Sequence, residues 1–432
     1  MHHFAYRRGA SNRSVGYASV LHAEEVDLAT LADKVGTPFY CYSTATLERH
    51  YAVFADAFAD MPGTLVCYSV KANSNLGVLA TLARQGSGMD IVSEGELRRA
   101  REVGVAPENI VFSGVGKTQA EMALALDAGI FAFNVESEPE LHALSEVAAA
   151  RGATARIAFR VNPDVDAKTH HKIATGKAEN KFGVPFAEAQ ALYRLAHELP
   201  GIEASGVHMH IGSQITELDP FRNAFALLNE LVRTLRAAGF AIDFVNLGGG
   251  LGVPYRSDQP APPLPADYAR LVHEAVGDLG VRLLFEPGRM IAGNAGILIS
   301  RVLYVKRGAS KTFTIVDAAM NDLMRPTLYE AYHEILPVAE PAPGTPVAIT
   351  DVVGPVCETG DYLALARALP ELHAGDLISV MTAGAYGAAL ASEYNSRPLA
   401  PEVLVNGSQY CVTRARPTYD DMLAVERLPD WL

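Results

Sequence analysis

The chain has 432 residues, of which 49% are hydrophobic and 20% charged, a composition that suits a globular protein and excludes a disordered or fibrous one. Its 36 basic and 49 acidic residues give a net charge of −13, which disfavours nucleic acids and anionic membranes as partners. Four scattered cysteines predict no disulfide framework, and no apolar run is long enough for a bilayer, so we expect a cytoplasmic protein.

A repeated unit fills the chain from about residue 45 to 290. A first helical segment has apolar residues at Leu47, Tyr51 and Phe54 and stops before Pro62. Short apolar runs then alternate with helical segments, and the eight runs are 65–70, 88–93, 109–114, 130–136, 156–161, 203–211, 240–247 and 281–286. Capping boxes are expected at Ser93 with Glu96, Thr118 with Glu121, and Ser137 with Glu140. Eight strands that alternate with helices predict an α/β fold, a (β/α)8 barrel rather than an open sheet.

The pattern changes after about residue 290, where ILISRVLYVKRG and KTFTIVDAAM alternate like strands and the Pro-rich stretch 336–346 forms a connection. A second, all-β domain is therefore expected. The first 40 residues resemble no barrel unit and could pair with that domain. We predict an N-terminal segment of the β domain at 1–44, the barrel at 45–292 and the C-terminal β domain at 293–432.

Residues that directly follow the strands are the candidates for chemistry, because the active sites of such barrels lie at the C-terminal ends of the strands. Lys71 follows the first strand, where a buried amine could form an imine with an aldehyde, although a lone lysine is more often a solvated surface charge. His208 and His210 alternate on the sixth strand and face the same way. They indicate either a weakly supported metal site or an imidazole wall against a flat ring.

The last two barrel strands end in a glycine loop and a carboxylate. Gly248, Gly249 and Gly250 predict either a tight turn or a loop whose amides bind phosphate. Glu286 could pair with the nearby Arg289 or with a cationic ring nitrogen. A lysine for the imine, an imidazole for stacking, a glycine loop for the phosphate and a carboxylate for the pyridinium nitrogen are together the four groups that bind pyridoxal phosphate.

Motifs along nearly the whole chain resemble, in order, those of the diaminopimelate decarboxylases, which belong to the class II group of ornithine, lysine and arginine decarboxylases. The matching runs are CYSVKAN, DIVSEGEL, NPDVDAKTHHKIATGKAENKFG, HMHIGSQ, NLGGGLG, FEPGR, MNDLMRPTLYEAYHEI, GPVCETGD, GAYG and EYNSRP. The resemblance implies a pyridoxal-phosphate enzyme of the alanine-racemase-like fold type, a homodimer with active sites at the interface. It further implies conversion of meso-diaminopimelate to L-lysine and carbon dioxide, the last step of that lysine pathway.

The same resemblance assigns roles to single residues. Lys71 would be the Schiff-base lysine and Cys357 the proton donor. The remaining cofactor contacts would be His210, Ser213, Gly248, Gly249, Gly250, Glu286, Pro287, Gly288, Arg289 and Tyr386. The substrate contacts would be Arg289, Arg325, Tyr329, Glu358 and Tyr386. Cys357 and Glu358 would reach the active site of the other subunit. The chain departs from the family at Met209, where cysteine is frequent, and at Glu393, where asparagine is common.

The chemistry of these residues favours one reaction over its relatives. Loss of carbon dioxide leaves a carbanion that needs an electron sink, and Glu286 would keep a pyridine nitrogen protonated for that purpose, which suits decarboxylation better than racemisation. A buried site near Glu358 would keep Cys357 in its thiol form. Arg289 and Arg325 suit a substrate with a distal carboxylate. Decarboxylases of ornithine, arginine or carboxynorspermidine and a noncatalytic cofactor-binding homologue remain the alternatives.

Overall fold

A computed structural model of the chain describes residues 2–7, 19–176 and 180–432. Residues 8–18, in the predicted N-terminal segment, and 177–179, in the NPDVDAKTHHKIATGKAENKFG run, lie outside the described residues. The strands are β1 (Phe4–Arg7), β2 (Val20–Ala23), β3 (Val26–Asp27), β4 (Phe39–Ser43), β5 (Leu65–Ser69), β6 (Gly88–Ile91), β7 (Ile110–Phe112), β8 (Ala132–Val135), β9 (Ala155–Asn162), β10 (Val184–Pro185), β11 (Ile202–His208), β12 (Phe244–Asn246), β13 (Arg282–Phe285), β14 (Gly296–Arg307), β15 (Thr312–Val316), β16 (Ile335–Pro337), β17 (Val347–Val353), β18 (Tyr362–Pro370), β19 (Leu377–Val380), β20 (Glu402–Asn406) and β21 (Gln409–Arg414).

Helices alternate with the strands in the first two thirds of the chain and are short beyond it. They are α1 (Leu28–Val35), α2 (Thr44–Asp56), α3 (Leu76–Arg84), α4 (Glu94–Glu102), α5 (Gln119–Ala128), α6 (Glu138–Arg151), α7 (Ala189–Glu198), α8 (Asp219–Ala237), α9 (Pro265–Val276), α10 (Arg289–Ala292), α11 (Arg325–Tyr329) and α12 (Tyr419–Leu423). In the described part of the chain, none of the helices combines the length and the apolar character that crossing a membrane requires.

The chain divides into two compact units. The barrel unit comprises Glu48–Pro254 and Gln259–Ile291, and the terminal unit comprises Met1–Leu47, Tyr255–Asp258 and Ala292–Leu432. The four residues Tyr255–Asp258 thus belong to the terminal unit, although barrel residues precede and follow them in the sequence.

A closed parallel sheet forms the centre of the barrel unit and confirms the predicted (β/α)8 architecture. Its strands are hydrogen-bonded in the order β5, β6, β7, β8, β9, β11, β12, β13, and β13 pairs again with β5. Gly206 on β11 is required by packing, because a Cβ at this position would lie 2.0 Å from the ring of Phe244 on the next strand. The seventh strand is shorter than predicted, since only Phe244–Asn246 pair with neighbouring strands, and the Arg236 side chain donates to the carbonyl of Ile242 just before it.

Helix starts in the barrel unit follow the predicted serine and threonine caps, but only one of the three predicted capping boxes is complete. Thr118 and Glu121 exchange both hydrogen bonds at the start of α5. Ser93 and Ser137 cap α4 and α6, whereas the partner glutamates accept from backbone amides one residue further back, at Val92 and Glu136. The prediction of three boxes is therefore wrong for two of them, since these glutamates satisfy the N–H groups that end the preceding strand segments.

The terminal unit is built around the long strand β14. Its first half pairs antiparallel with β4 and β19, and its second half pairs with β15. β20 runs parallel to β4, so a strand near the N-terminus lies in one sheet with strands near the C-terminus. Phe39, Ile297 and Val403 from three of these strands are buried in the same core.

Candidate active site

Lys71 lies at the C-terminal end of the barrel, in a single 3-10 turn that directly follows β5. Its Nζ is 2.9 Å from Oδ2 of Asp90, which is completely buried near the end of β6 and also accepts from Ser69 Oγ at 2.7 Å. Burial raises the pKa of Asp90, the charge of Glu286 raises it further, and Lys71 opposes both effects. The lysine side chain is 39% exposed, so a small molecule at this end of the barrel can reach its amine.

The glycine loop lies between β12 and the following segment and leaves no room for side chains. Gly248 and Gly250 have φ of 64° and 109°, which other residues adopt only with strain. A Cβ at Gly249 would lie 2.2 Å from the carbonyl oxygen of Glu286. The loop is therefore a tight turn that packs directly against the end of β13, and this close packing brings its backbone to the same end of the barrel as Lys71.

His210 connects the glycine loop to the end of β11. Its Nδ1 accepts a hydrogen bond from the backbone N–H of Gly249 at 3.1 Å. Burial lowers the pKa of His210 well below its usual value of 6.5, and the charges of Arg160 and Lys71 lower it further. The imidazole is therefore neutral at physiological pH, with its proton on Nε2, and presents an uncharged ring.

Ser213 and Arg289 form a second contact at this end of the barrel. Nε and Nη2 of Arg289 lie 3.3 and 3.2 Å from Oγ of Ser213. Arg289 is buried at the start of α10, directly after the predicted Glu286-Pro287-Gly288 run, and the carbonyl of Pro287 accepts from the N–H of Ser69. The contact holds a buried cation beside a hydroxyl group, a pair that suits an anionic ligand.

Glu286 is buried at the end of β13 and is surrounded by donors. Its Oε1 accepts from Nδ2 of Asn246 at 2.6 Å and from Nδ2 of Asn134 at 2.9 Å, and its Oε2 lies 3.4 Å from Nε2 of His208. Burial by itself opposes ionisation, but the neighbouring His208 and Lys71 outweigh it, so the pKa of Glu286 is lowered. The carboxylate is therefore ionised inside the barrel.

A layer of polar side chains inside the barrel was not predicted from the sequence. Asp90, Ser113, Asn134 and Asn246 lie at or near the ends of four barrel strands, and all are buried. Each is a single polar residue at the end of an apolar run, and this recurrence at one level of the barrel is the signal that could have revealed them. Together they surround Glu286 and Lys71 with hydrogen-bonding groups.

The predicted substrate residues of the terminal unit lie around α11. Arg325 begins this helix and is buried, with its guanidinium 5.0 Å from the centre of the Tyr255 ring. Tyr329 ends the helix and is partly exposed. Tyr386 lies in the loop after β19 with a φ of 57°.

Cys357 and Glu358 lie on the loop between β17 and β18. Thr327 of α11 donates to the carbonyl of Gly360, so this loop is fastened to the helix that carries Arg325. Both Cys357 and Glu358 are exposed in the single chain, and the buried site expected for the thiol stays a prediction about the dimer. The backbone N–H of Cys357 donates to Asn395 Oδ1 at 2.9 Å.

Comparisons with known proteins agree with this geometry. Residues 44–293 match the pyridoxal binding domain of the pyridoxal-dependent decarboxylases. Diaminopimelate decarboxylase of Vibrio cholerae is 51% identical over 407 residues, covering 94% of this chain and 96% of that one. Among solved structures, diaminopimelate decarboxylase of M. jannaschii in complex with L-lysine has a TM-score of 0.91 and 36% identity, covering 96% of this chain and 97% of that one.

A second solved structure extends the similarity. Diaminopimelate decarboxylase from Helicobacter pylori, complexed with L-lysine, has a TM-score of 0.88 and 40% identity, and the match covers 92% of this chain and 99% of the other. Both the barrel and the terminal unit are included in a match of this extent. The chain therefore belongs to the diaminopimelate decarboxylases, a family of pyridoxal-dependent decarboxylases.

Proposed function

We propose that the chain converts meso-diaminopimelate to L-lysine and carbon dioxide with pyridoxal phosphate as its cofactor, as the last step of lysine synthesis through diaminopimelate. The observation that carries the proposal is the ionised Glu286 at the same end of the barrel as the accessible amine of Lys71. The L-lysine in the complexes of two relatives supports the identity of the product.

The barrel residues fit pyridoxal phosphate. Ser213 with Arg289 offers a hydroxyl group and a cation to the phosphate. The turn of Gly248, Gly249 and Gly250 would contact the phosphate through its backbone, with the N–H groups of Gly248 and Gly249 also bonded to Asn246 and His210. The neutral ring of His210 supplies an uncharged surface for stacking. When bound, the cofactor withdraws the electrons that remain on the α-carbon after carbon dioxide has left.

The roles of the barrel residues follow from their positions. Lys71 carries the amine for covalent attachment of the cofactor, and Asp90 holds this amine in place while it is unattached. Glu286 keeps a proton on the ring nitrogen, which preserves the electron-withdrawing form. Pro287 and Gly288 bring Arg289 from the end of β13 to the phosphate side.

Substrate recognition is assigned to Arg289, Arg325, Tyr329, Glu358 and Tyr386. Arg325 and Tyr329 would hold the distal carboxylate, since a buried guanidinium binds a carboxylate in a planar, two-bond geometry. Glu358 would hold the distal ammonium, and Tyr386 would contact both the cofactor and the substrate. Cys357 would donate the proton that replaces the lost carboxylate, a role that requires an accessible thiol.

We further propose a homodimer in the cytoplasm, with Cys357 and Glu358 contributed to the active site of the other subunit. The exposure of both residues in the single chain supports this arrangement, because a proton donor and a substrate anchor need an enclosed site to act selectively.

An assay of carbon dioxide release tests the proposal and separates the alternatives. The purified protein, loaded with pyridoxal phosphate, is given meso-diaminopimelate, L-ornithine, L-arginine or carboxynorspermidine at equal concentrations. We expect release from meso-diaminopimelate and none from the other three. Equal turnover of ornithine or carboxynorspermidine would overturn the substrate assignment, and no turnover of any amino acid would favour the noncatalytic homologue.

An Arg325→Lys variant sharpens the assay. Lysine keeps the positive charge but loses the planar pair of donors, so we expect KM for meso-diaminopimelate to rise by about tenfold or more, corresponding to about 1.4 kcal/mol or more of binding energy. Lys306→Ala, a substitution at an exposed position of β14, serves as the control and should leave KM unchanged.

A further inference from the structure

The buried carboxylate of Glu286 is enclosed by side chains from three other strands. Asn134 is the last residue but one of β8, while His208 ends β11 and Asn246 ends β12. His208 and Asn246 are register partners in the parallel sheet, so both reach the carboxylate from adjacent strands at one level. We refer to Asn134, His208 and Asn246 as the carboxylate cage.

The two carboxylate oxygens of Glu286 contact different members of the carboxylate cage. Oε1 receives two amide N–H groups, from Asn246 at 2.6 Å and Asn134 at 2.9 Å. Oε2 is 3.4 Å from Nε2 of the buried His208, and Nδ1 of that ring has no hydrogen-bond partner among the described residues. The one polar contact of this buried ring is therefore to Glu286 among the described residues, which points to a role of His208 at this carboxylate.

Asn246 also connects the cage to the glycine loop. While its Nδ2 donates to Glu286, its Oδ1 accepts from the backbone N–H of Gly248 at 3.0 Å. Asn134 is fixed as firmly, because its backbone carbonyl accepts from Nζ of Lys117, which is itself buried in an ion pair with Glu140. The donors that face Glu286 are therefore held in place by contacts of their own.

We propose that Asn134, His208 and Asn246 are positioning residues that keep Glu286 ionised, so that the proton between Glu286 and the ring nitrogen of pyridoxal phosphate stays on the nitrogen. The inference rests on the proposed function, where Glu286 is assigned to that nitrogen. Donors to a carboxylate stabilise its charged form, and a weaker base cannot take the proton from the ring. Loss of a donor would move the proton toward Glu286 and weaken the electron sink.

The surrounding charges agree with this role. Lys71, after β5, places a positive charge near Glu286 in addition to the contact with His208, and the buried Asp90 on β6 and Cys67 on β5 also interact electrostatically with this carboxylate. The lowered pKa of Glu286 reflects the neighbouring donors and positive charges, which outweigh burial. The burial of Asp90 raises its own pKa, which limits the negative charge that would otherwise compete beside Glu286.

Nitrogen-15 NMR of the holoenzyme tests the cage directly. The protein is loaded with pyridoxal phosphate labelled at the ring nitrogen, whose chemical shift distinguishes a protonated from a neutral ring. Asn246→Asp keeps an acceptor for Gly248 but replaces the donor to Glu286 by an acid. His208→Leu removes the ring, and His208→Gln restores an N–H donor. Asn162→Asp is the matched control, because Asn162 also ends a barrel strand and accepts from the backbone two residues on.

We expect the resonance to move from the protonated toward the neutral position in Asn246→Asp and His208→Leu, to return toward the wild-type position in His208→Gln, and to stay in place in Asn162→Asp. Glu286→Gln marks the neutral position. If the resonance stays at the wild-type position in both cage variants, or moves equally in Asn162→Asp, the inference is overturned. If Asn246→Asp fails to fold, the His208 variants and Asn134→Ala test the inference instead. A ring-nitrogen resonance that stays at the wild-type position in His208→Leu and Asn134→Ala would overturn it.

Carbon dioxide release from meso-diaminopimelate, measured on the same wild-type sample, separates this inference from the proposed function. Turnover together with unmoved resonances rejects the cage alone. Moved resonances without turnover reject the function and retain the cage. If the wild-type protein turns over meso-diaminopimelate and the resonances move as expected, kcat of Asn246→Asp should fall more than about tenfold. The reason is that the electron sink acts in the chemical step rather than in binding.

Discussion

Nζ of Lys71 lies 2.9 Å from Oδ2 of Asp90, which joins an accessible amine at the end of β5 to a completely buried carboxylate on β6. This pair fixes the amine at the end of the barrel where Glu286, His210 and the glycine loop meet. An amine held in this way is placed for covalent chemistry.

Lys71→Ala should prevent covalent attachment of pyridoxal phosphate. After reduction with borohydride, the wild-type protein should gain the mass of one cofactor per chain by mass spectrometry, and the variant should gain none. The control is Lys306→Ala, at a lysine on the exposed part of β14, which should gain the same mass as the wild type. Attachment to the Lys71→Ala protein would show that another lysine carries the cofactor.

Mixed subunits should reveal a shared active site. Lys71→Ala and Cys357→Ala proteins are each expected to be inactive, but a hybrid dimer would contain one site with both wild-type residues. Random exchange of subunits should then restore about a quarter of the wild-type activity. The measurement is carbon dioxide release after the two proteins have been unfolded together and refolded. Activity that stays at the level of the separate variants would place Cys357 in the same site as Lys71 of its own chain.

The buried ion pair of Lys117 and Glu140 should be important for stability. The two side chains are 1% and 6% exposed, and their charged atoms are 2.7 Å apart. Lys117→Met leaves Glu140 buried without its counter-charge and should lower the free energy of unfolding by about 3–5 kcal/mol. The double variant Lys117→Met with Glu140→Gln should recover much of this loss, because no buried charge remains and glutamine still accepts from the N–H of Glu136.

Urea denaturation measures these differences. An exposed pair supplies the control, since Arg98 and Glu94 on α4 are also oppositely charged and close in space. Arg98→Met should change the free energy of unfolding by no more than about 0.5 kcal/mol. A change of the same small size in the free energy of unfolding of Lys117→Met would show that the buried ion pair contributes little to stability.

The neutral His210 should make the stability of the cofactor-free protein depend on pH. Burial lowers the pKa of His210 in the folded state below its usual value of 6.5, so the unfolded chain binds a proton that the folded chain does not. Stability is unaffected by this group well above pH 6.5 and falls as the pH drops below that value. The contribution is at most about 1.4 kcal/mol for each pH unit.

His210→Asn should reduce this loss, because asparagine provides an acceptor for the N–H of Gly249 without a titrating ring. The free energy of unfolding is measured in urea from about pH 5 to about pH 7.5, a range that spans the ordinary pKa of histidine. His142→Asn, at an exposed position of α6, is the control and should keep the wild-type slope. Identical slopes for wild type and His210→Asn would show that His210 is protonated in the folded chain.

The fold was predictable because the barrel strands are local apolar runs and several of the helices between them begin at side-chain caps, and such signals do not depend on distant residues. The polar layer inside the barrel was not predictable from the sequence. Asn134 and Asn246 belong to different strands, and both donate to Glu286 only because the sheet closes around it. The hydrogen bond from the backbone N–H of Cys357 to Asn395 Oδ1 joins residues 38 positions apart, a contact that sequence spacing does not reveal.

The segment Tyr255–Asp258 has a consequence for recombination between homologous genes. Within the terminal unit, the ring of Tyr255 lies against Arg325 and His333, and Arg256 lies over Tyr332. The chain crosses between the two units at four points, so a gene exchange that cuts only at the two outer points would transfer these residues with a foreign barrel. A working chimera therefore requires the four-residue segment to be inherited with the terminal half, and residues 255, 256, 325, 332 and 333 should change together among descendants.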